Sequence, residues 1–196
     1  MIAETGLCVW RSGERAYLDI KCSGDWLNGK LALLWSGNSH DTPAMADNAR
    51  DYGIIAAAGA LARRAVLAGL KQGEGEGEAF NALLRSAVTT SYKAQLLEGM
   101  ADVLGGYYRD AATGHTRVDR LDAAIEHDHD GQDGPDGEDC TGFVHAASGI
   151  DTTQCAVKYC GGGFGGYVLC LWTTRQGRDA FVAHNTRALA VEPYSR

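Results

Sequence analysis

Five glycines in six residues, Gly161 to Gly166 with Phe164 among them, stand between two apolar runs of strand length. Neither helix nor strand is favoured through such a run, because glycine loses more backbone freedom on ordering than any other residue. The flanking segments, Ala156 to Cys160 and Tyr167 to Trp172, are rich in apolar, aromatic and β-branched residues, so this region reads as strand, glycine turn, strand. A hairpin turn needs fewer glycines than this. A backbone stripped of Cβ atoms can approach an anion closely and aim several N–H groups at it. A turn without a ligand stays open as the alternative.

Two familiar patterns are excluded by context. Gly161, Gly163 and Gly166 satisfy G-x-G-x-x-G, and Val168 extends it to G-x-G-x-x-G-x-V. A dinucleotide fingerprint needs a helix to open at the loop, so that its first amides face the pyrophosphate, and here a strand follows. A protein-kinase loop is followed by its Lys, H-R-D and D-F-G elements, and none of these occurs after Gly166.

The remaining composition is that of a folded chain: 45% hydrophobic and 22% charged over 196 residues, room for one domain with a real core. A net charge of −7 without a Lys/Arg-rich patch matches a nucleic-acid backbone poorly, so no nucleic-acid partner is expected. No uninterrupted apolar run reaches spanning length and the N-terminus lacks a basic, then apolar, leader, so no membrane span or secretory signal is expected. The six cysteines form no C-x-x-C pair; Cys8, Cys160 and Cys170 lie in strand-like runs, as small buried hydrophobes do. Reduced thiols and a cytoplasmic location are the corresponding expectation.

Along the chain, Gly6 to Trp10 and Ala16 to Ile20 read as a hairpin around Ser12-Gly13. Lys30 to Trp35 (KLALLW) reads as a strand buried on both faces. Ser36 to Pro43 is turn chemistry leading into a helix over Ala44 to about Leu70, with Asp41 or Thr42 as cap and Pro43 in the first turn. Gly73 to Glu78 (GEGEGE) reads as a flexible charged loop, and Ala79 to Leu104 as a second helix. Residues 105–153 form a polar, acidic insertion. A helix over Arg175 to Thr186 and a strand over Ala188 to Val191 follow the glycine hairpin. With residues 1–28 set aside as the hairpin, residues 29–196 give an α+β, ferredoxin-like βα(α)ββαβ order.

Two further groups of residues invite chemistry. His127, Asp128, His129, Asp130, Asp133, Asp136, Glu138 and Asp139 in the insertion offer many metal ligands. The EF-hand pattern fails there, since Asp133 stands where the sharp turn wants glycine, and a solvated acidic loop is the plain reading. Ser39-His40-Asp41 is no hydrolase triad, because consecutive residues do not aim at one another.

Lys158-Tyr159-Cys160-Gly161-Gly162-Gly163-Phe164-Gly165-Gly166-Tyr167, between strands and near the C-terminus, resembles the third motif of the GHMP kinases, K-x-x-G-A-G-G-G-G-F. That family includes galactokinase, homoserine kinase, mevalonate kinase and phosphomevalonate kinase. The likeness extends in element order over roughly residues 30–104 and 155–194, and is closest to the sugar and sugar-phosphate kinases. It implies a ferredoxin-like C-terminal lobe, ATP and Mg2+ as cofactors, and a small-molecule sugar substrate. The phosphate-side residues implied are Lys158, Gly161, Gly162, Gly163, Phe164, Gly165 and Gly166. Asn38, Ser39 and His40, after the first strand of the lobe, are the implied substrate-binding residues, with turn formation and helix capping as their alternative. The N-terminal motif P-x-x-x-G-L-G-S-S-A is not found in this sequence. The resemblance therefore places the nucleotide cradle in another lobe, in cis or in trans, and a carboxylate base upstream of Met1. No catalytic residue is assigned within the chain. Self-association, or a non-catalytic ligand-binding or regulatory module of the same fold, is the other expectation.

Overall fold

The computed structural model describes residues 5–11, 14–36, 50–71, 76–100, 102–104, 150, 152–161 and 166–194. They form a mixed α+β structure with two antiparallel sheets and, among the described residues, three α-helices. Strands β1 (Leu7–Arg11) and β2 (Tyr17–Cys22) make a two-stranded sheet, followed by a short 3-10 turn at Gly24–Leu27. Strands β3 (Leu31–Trp35), β4 (Cys155–Tyr159), β5 (Tyr167–Trp172) and β6 (Ala188–Val191) make the second sheet, in the order β4-β5-β3-β6. Helices α1 (Tyr52–Gly69) and α2 (Glu76–Leu97) separate β3 from β4, and α3 (Arg175–His184) separates β5 from β6.

The sheet is sealed on one face. Ala32 and Leu34 of β3, Val157 and Tyr159 of β4, and Val168, Cys170 and Trp172 of β5 share a core with Tyr92 and Leu96 of α2. Phe181 of α3 joins it, its ring 5.3 Å from that of Trp172. Each large side chain buried this way stabilises the fold by roughly 1.5–3 kcal/mol. A second core gathers Ala65, Val66 and Ala68 of α1, Phe80, Leu84 and Val88 of α2, and Cys22 and Leu27 against Ala156 and Leu171. The β1–β2 hairpin is tied to α1 through Asp19, which accepts from Arg63 at 2.8 Å and lies 3.3 Å from Arg11. The hydrogen bond from Arg63 holds the Asp19 carboxyl below its usual range.

The strand over Tyr167–Trp172 and the strand over Ala188–Val191 have the bounds expected from sequence. Strand β3 differs from its reading: it alternates, with Ala32 and Leu34 buried and Leu31, Leu33 and Trp35 only half-buried. The first helix starts at Tyr52, because the Asp51 side chain caps it by accepting from the Ile54 N–H at 3.0 Å. The expected cap at Asp41 or Thr42 and the turn at Pro43 lie outside the described residues.

Part of GEGEGE is helix, not loop. Glu76, Gly77 and Glu78 open α2, and an acidic residue such as Glu78 suits the positive end of the helix dipole. Gly77 is fixed by packing, since a Cβ there would lie 2.3 Å from the Trp26 ring. The helix also ends early, at Leu97. Gly99 takes φ +95°, with Met100 N–H bonded to the Gln95 carbonyl and Gly99 N–H to that of Leu96, which is a Schellman stop. Met100, Val103 and Leu104 reach the core from the turns beyond it.

Helix α1 is, among the described residues, long and apolar enough by length and composition to pass as a membrane span, with mean hydropathy 1.2. Sequence reading expected no span; Arg63 and Arg64 interrupt the apolar run of α1, and Arg63 bonds Asp19. Cys8, Cys22, Cys155, Cys160 and Cys170 are free thiols. Of the three expected to be buried, Cys170 is, while Cys8 and Cys160 are half-buried. Burial pushes the Cys22 and Cys155 thiols up.

Candidate functional site

Strands β4 and β5 close into a hairpin through the Cys160 N–H, which donates to the Tyr167 carbonyl at 2.8 Å. The two ends of the glycine turn take left-handed conformations, φ +65° at Gly161 and φ +76° at Gly166. Among the described residues, a Cβ at either would meet no atom within 4 Å, so the dihedral calls for glycine there.

The end of β3 meets the same turn. Ser36, almost fully buried, donates its N–H to the Gly166 carbonyl at 2.9 Å. Asn38, Ser39 and His40, expected as substrate-binding residues after the first strand of the lobe, lie outside the described residues, as do Gly162, Gly163, Phe164 and Gly165. The acidic stretch from His127 to Asp139 also lies outside them. Of the expected site residues, Lys158, Gly161 and Gly166 are described, all at one end of the hairpin.

Residues directly opposite on neighbouring strands share a face. Register then lays out three rows on the face away from the sealed core. Cys160, Tyr167, Trp35 and Arg187 lie across the top row, Cys160 bonding Tyr167 and the Trp35 N–H donating to the Arg187 carbonyl at 2.9 Å. Lys158, Leu169, Leu33 and Leu189 form the next row. Ala156, Leu171, Leu31 and Val191 form the third.

Only the third row is packed under the second core, with Ala156 and Leu171 buried there. Above it, Tyr167 is 40% exposed and Leu189 44%, while Lys158, Leu33, Leu169 and Trp35 are half-buried. The Trp35 and Tyr167 rings stand edge to face, centroids 5.2 Å apart and planes at 63°. Lys158 lies close enough to the Cys160 thiol to favour its ionised form, but burial, the larger effect, holds that thiol above its ordinary value. Burial thus favours the neutral thiol at Cys160 over its ionised form.

The ring pair and Arg187 escaped sequence reading. Tyr167 was visible as the last residue of the glycine motif, but its partner lies over a hundred residues away in sequence, at Trp35.

The edges of the sheet also differ. Along β4 the Gln95 amide of α2 works as a strand partner would, donating to the Tyr159 carbonyl at 3.1 Å and accepting from its N–H at 2.9 Å. Arg85, further back on α2, donates to the Thr153 carbonyl at 2.8 Å. This fastens the glycine hairpin to α2 and covers an edge that would otherwise invite pairing. At the far end of the sheet, buried Arg178 of α3 bonds Glu192 at 3.1 Å and the Leu31 carbonyl at 3.2 Å. Glu192 also accepts from the Gly29 N–H at 2.6 Å. That backbone bond, and next the hydrogen bond from Arg178, hold the Glu192 carboxyl below its usual range.

A cavity of about 340 Å³ opens at that far end, between the β1–β2 hairpin and the segment after β6, lined by Lys21, Ser23, Asp25, Asn28 and Pro193 among others. It is separate from the glycine turn. Among the described residues no three His, Cys, Asp or Glu side chains come together as a metal site. Comparison of the chain with protein-family models, with curated proteins and with solved structures found no match.

Proposed function

We propose that this chain supplies the C-terminal part of an ATP-dependent small-molecule kinase that phosphorylates a sugar or sugar phosphate in the cytoplasm. The observation that carries the reading is the glycine hairpin at the end of an antiparallel sheet ordered β4-β5-β3-β6. With the β1–β2 hairpin left out, that order is second, third, first, fourth. That order, with two helices in the first crossover and one in the second, supports the reading of a ferredoxin-like lobe.

The backbone at Gly161 and Gly166, free of Cβ atoms, with Lys158 on the adjoining strand, suits the phosphates of ATP. Bound ATP supplies the phosphoryl group to be transferred. The chain's own part is to hold that charge with backbone N–H groups and a lysine, and to carry acceptor contacts on the segment after Ser36. Asn38, Ser39 and His40 are the acceptor-side residues of this reading, and Gly162, Gly163, Phe164 and Gly165 complete its phosphate turn. Mg2+, implied by the same resemblance, is assigned in this reading to the second lobe.

Phosphotransfer assays with ATP, Mg2+ and a panel of sugars test this. No turnover is expected from residues 1–196 alone, and turnover is expected once a lobe bearing a P-x-x-x-G-L-x-S-S-A-like segment is supplied in cis or in trans. Robust sugar phosphorylation by residues 1–196 alone contradicts the division of labour. The second reading, a non-catalytic ligand-binding or regulatory module, draws on the missing motif. A monomer that binds a sugar, with no turnover under either condition, selects it.

A further inference from the structure

The fold treats the two edges of the four-stranded sheet differently. On β4 the Gln95 amide takes the edge groups of Tyr159, and Arg85 binds the Thr153 carbonyl. On β6 the Ala188 N–H is taken, donating to the Asn185 carbonyl at 3.0 Å, and no hydrogen bond reaches the rest of its outer row among the described residues. Register identifies that row. The Ser36 N–H bonds the Gly166 carbonyl and the Trp35 N–H that of Arg187, so even-numbered residues of β3 face β5 and odd-numbered ones face β6. Leu31 with Val191 and Leu33 with Leu189 are then the hydrogen-bonded pairs. The C=O and N–H of a trans peptide point opposite ways. The Ala188 C=O, the Ala190 N–H and C=O, and the Glu192 N–H therefore point out from the sheet. An edge of this kind templates pairing unless charge or proline deters it, and β6 reads Ala-Leu-Ala-Val.

From this geometry we infer that β6 pairs with β6 of a second copy, antiparallel about a twofold axis at Ala190, joining the two sheets into one. In that register Ala190 exchanges both bonds with Ala190 of the second copy, and each Glu192 N–H meets the Ala188 C=O of the other. Every free donor in the row meets a free acceptor, and the spent Ala188 N–H is not called on. Moving the axis to Leu189 would call on it. Exposed Leu189 then lies opposite Val191 of the second copy, which buries apolar surface at the join. A foreign strand has to bring a matching row, and the methyl groups of Ala188 and Ala190 offer it no specificity pocket; twofold symmetry supplies the match from the chain itself. So short a join makes a weak, concentration-dependent dimer. It needs neither ATP nor a second lobe, so it goes beyond the kinase reading and fails separately from it.

Sedimentation of residues 1–196 over a wide concentration range, with amide exchange at its two ends, decides it. A reversible monomer–dimer equilibrium is expected, with exchange at Ala190 and Glu192 slowing as concentration rises and that at Ala188 unmoved. Ala190→Pro removes an outward N–H but no bond to β3, so it is expected to keep the parent's denaturation midpoint and to weaken dimerisation by about tenfold or more. Leu189→Pro removes the N–H paired with Leu33 and is expected to lower the midpoint instead. Tyr167→Ala is expected to dimerise as the parent does. A chain monomeric at every concentration overturns the inference. So does dimerisation unmoved in a folded Ala190→Pro variant, or lost in Tyr167→Ala, which gives the interface to the sheet face. Should Ala190→Pro fail to fold, exchange at Ala190 and Glu192 of the parent that ignores concentration overturns it equally.

Discussion

The two faces of the four-stranded sheet are built from alternate residues of the same strands, and they differ sharply near the glycine turn. On one face Ala32, Leu34, Val168 and Cys170 are at most 1% exposed. On the other, the neighbours of those residues, Leu33, Trp35, Tyr167 and Leu169, remain half-buried or exposed. Period-two alternation lets one strand serve two purposes. The sealed face is closed by α2 and α3, whereas the other is packed under the second core only at its third row. The other face holds an aromatic pair, Trp35 and Tyr167, and a lysine, Lys158, in partly exposed positions.

The contrast can be broken most easily by truncating neighbours on β3. Leu34→Ala is expected to cost about 2–5 kcal/mol in urea denaturation, whereas Leu33→Ala costs about 1 kcal/mol or less. Equal losses would mean that the open face is packed after all. Next in size, Gln95→Ala leaves the buried N–H and carbonyl of Tyr159 without their partner and is expected to cost about 2 kcal/mol. Its amide exchange at Tyr159 should accelerate well beyond that at Val168, which bonds inside the sheet; equal acceleration would deny Gln95 its role at the edge.

Acid provides a smaller effect, away from the open face. Glu192 and Asp19 both titrate below their ordinary values in the folded chain. They therefore add stability above the ordinary carboxylate range, and that stability is lost as the pH falls through their lowered folded values. Denaturation midpoints should be flat near neutrality and decline below about pH 4.5, the ordinary value for Glu192. Glu192→Gln should flatten part of the decline, and an unchanged acid profile would show that the Arg178–Glu192–Gly29 clamp contributes nothing there. Smallest of all, Tyr167→Ala should shift stability by about 1 kcal/mol or less. A loss as large as that of Leu34→Ala would mark Tyr167 as core.

Much of this fold could be read locally. Tyr167–Trp172 and Ala188–Val191 declare themselves as strands through continuous apolar or β-prone residues between turns. What stayed hidden depends on distant partners. Gly73 to Glu78 looks like a loop until the Trp26 ring is seen against Gly77, which explains why a glycine sits inside a helix. Periodicity ran through Met100, Val103 and Leu104, so the apolar pattern carried the second helix past its glycine stop at Gly99. At the site, the glycine hairpin and Lys158 were legible as a motif, but its neighbours were not. Trp35 and Arg187 join Tyr167 only through the register of β3 with β5 and β6.

The claim that the glycine hairpin and Lys158 take the phosphates of ATP is tested most directly by amide hydrogen exchange, with and without saturating ATP. Added protection is expected at Lys158 to Gly161, Gly166 to Leu169 and Leu33 to Ser36, with the β1–β2 hairpin and α1 unchanged. No change anywhere, or protection gathered instead around the far cavity at Lys21 to Asn28, would contradict it.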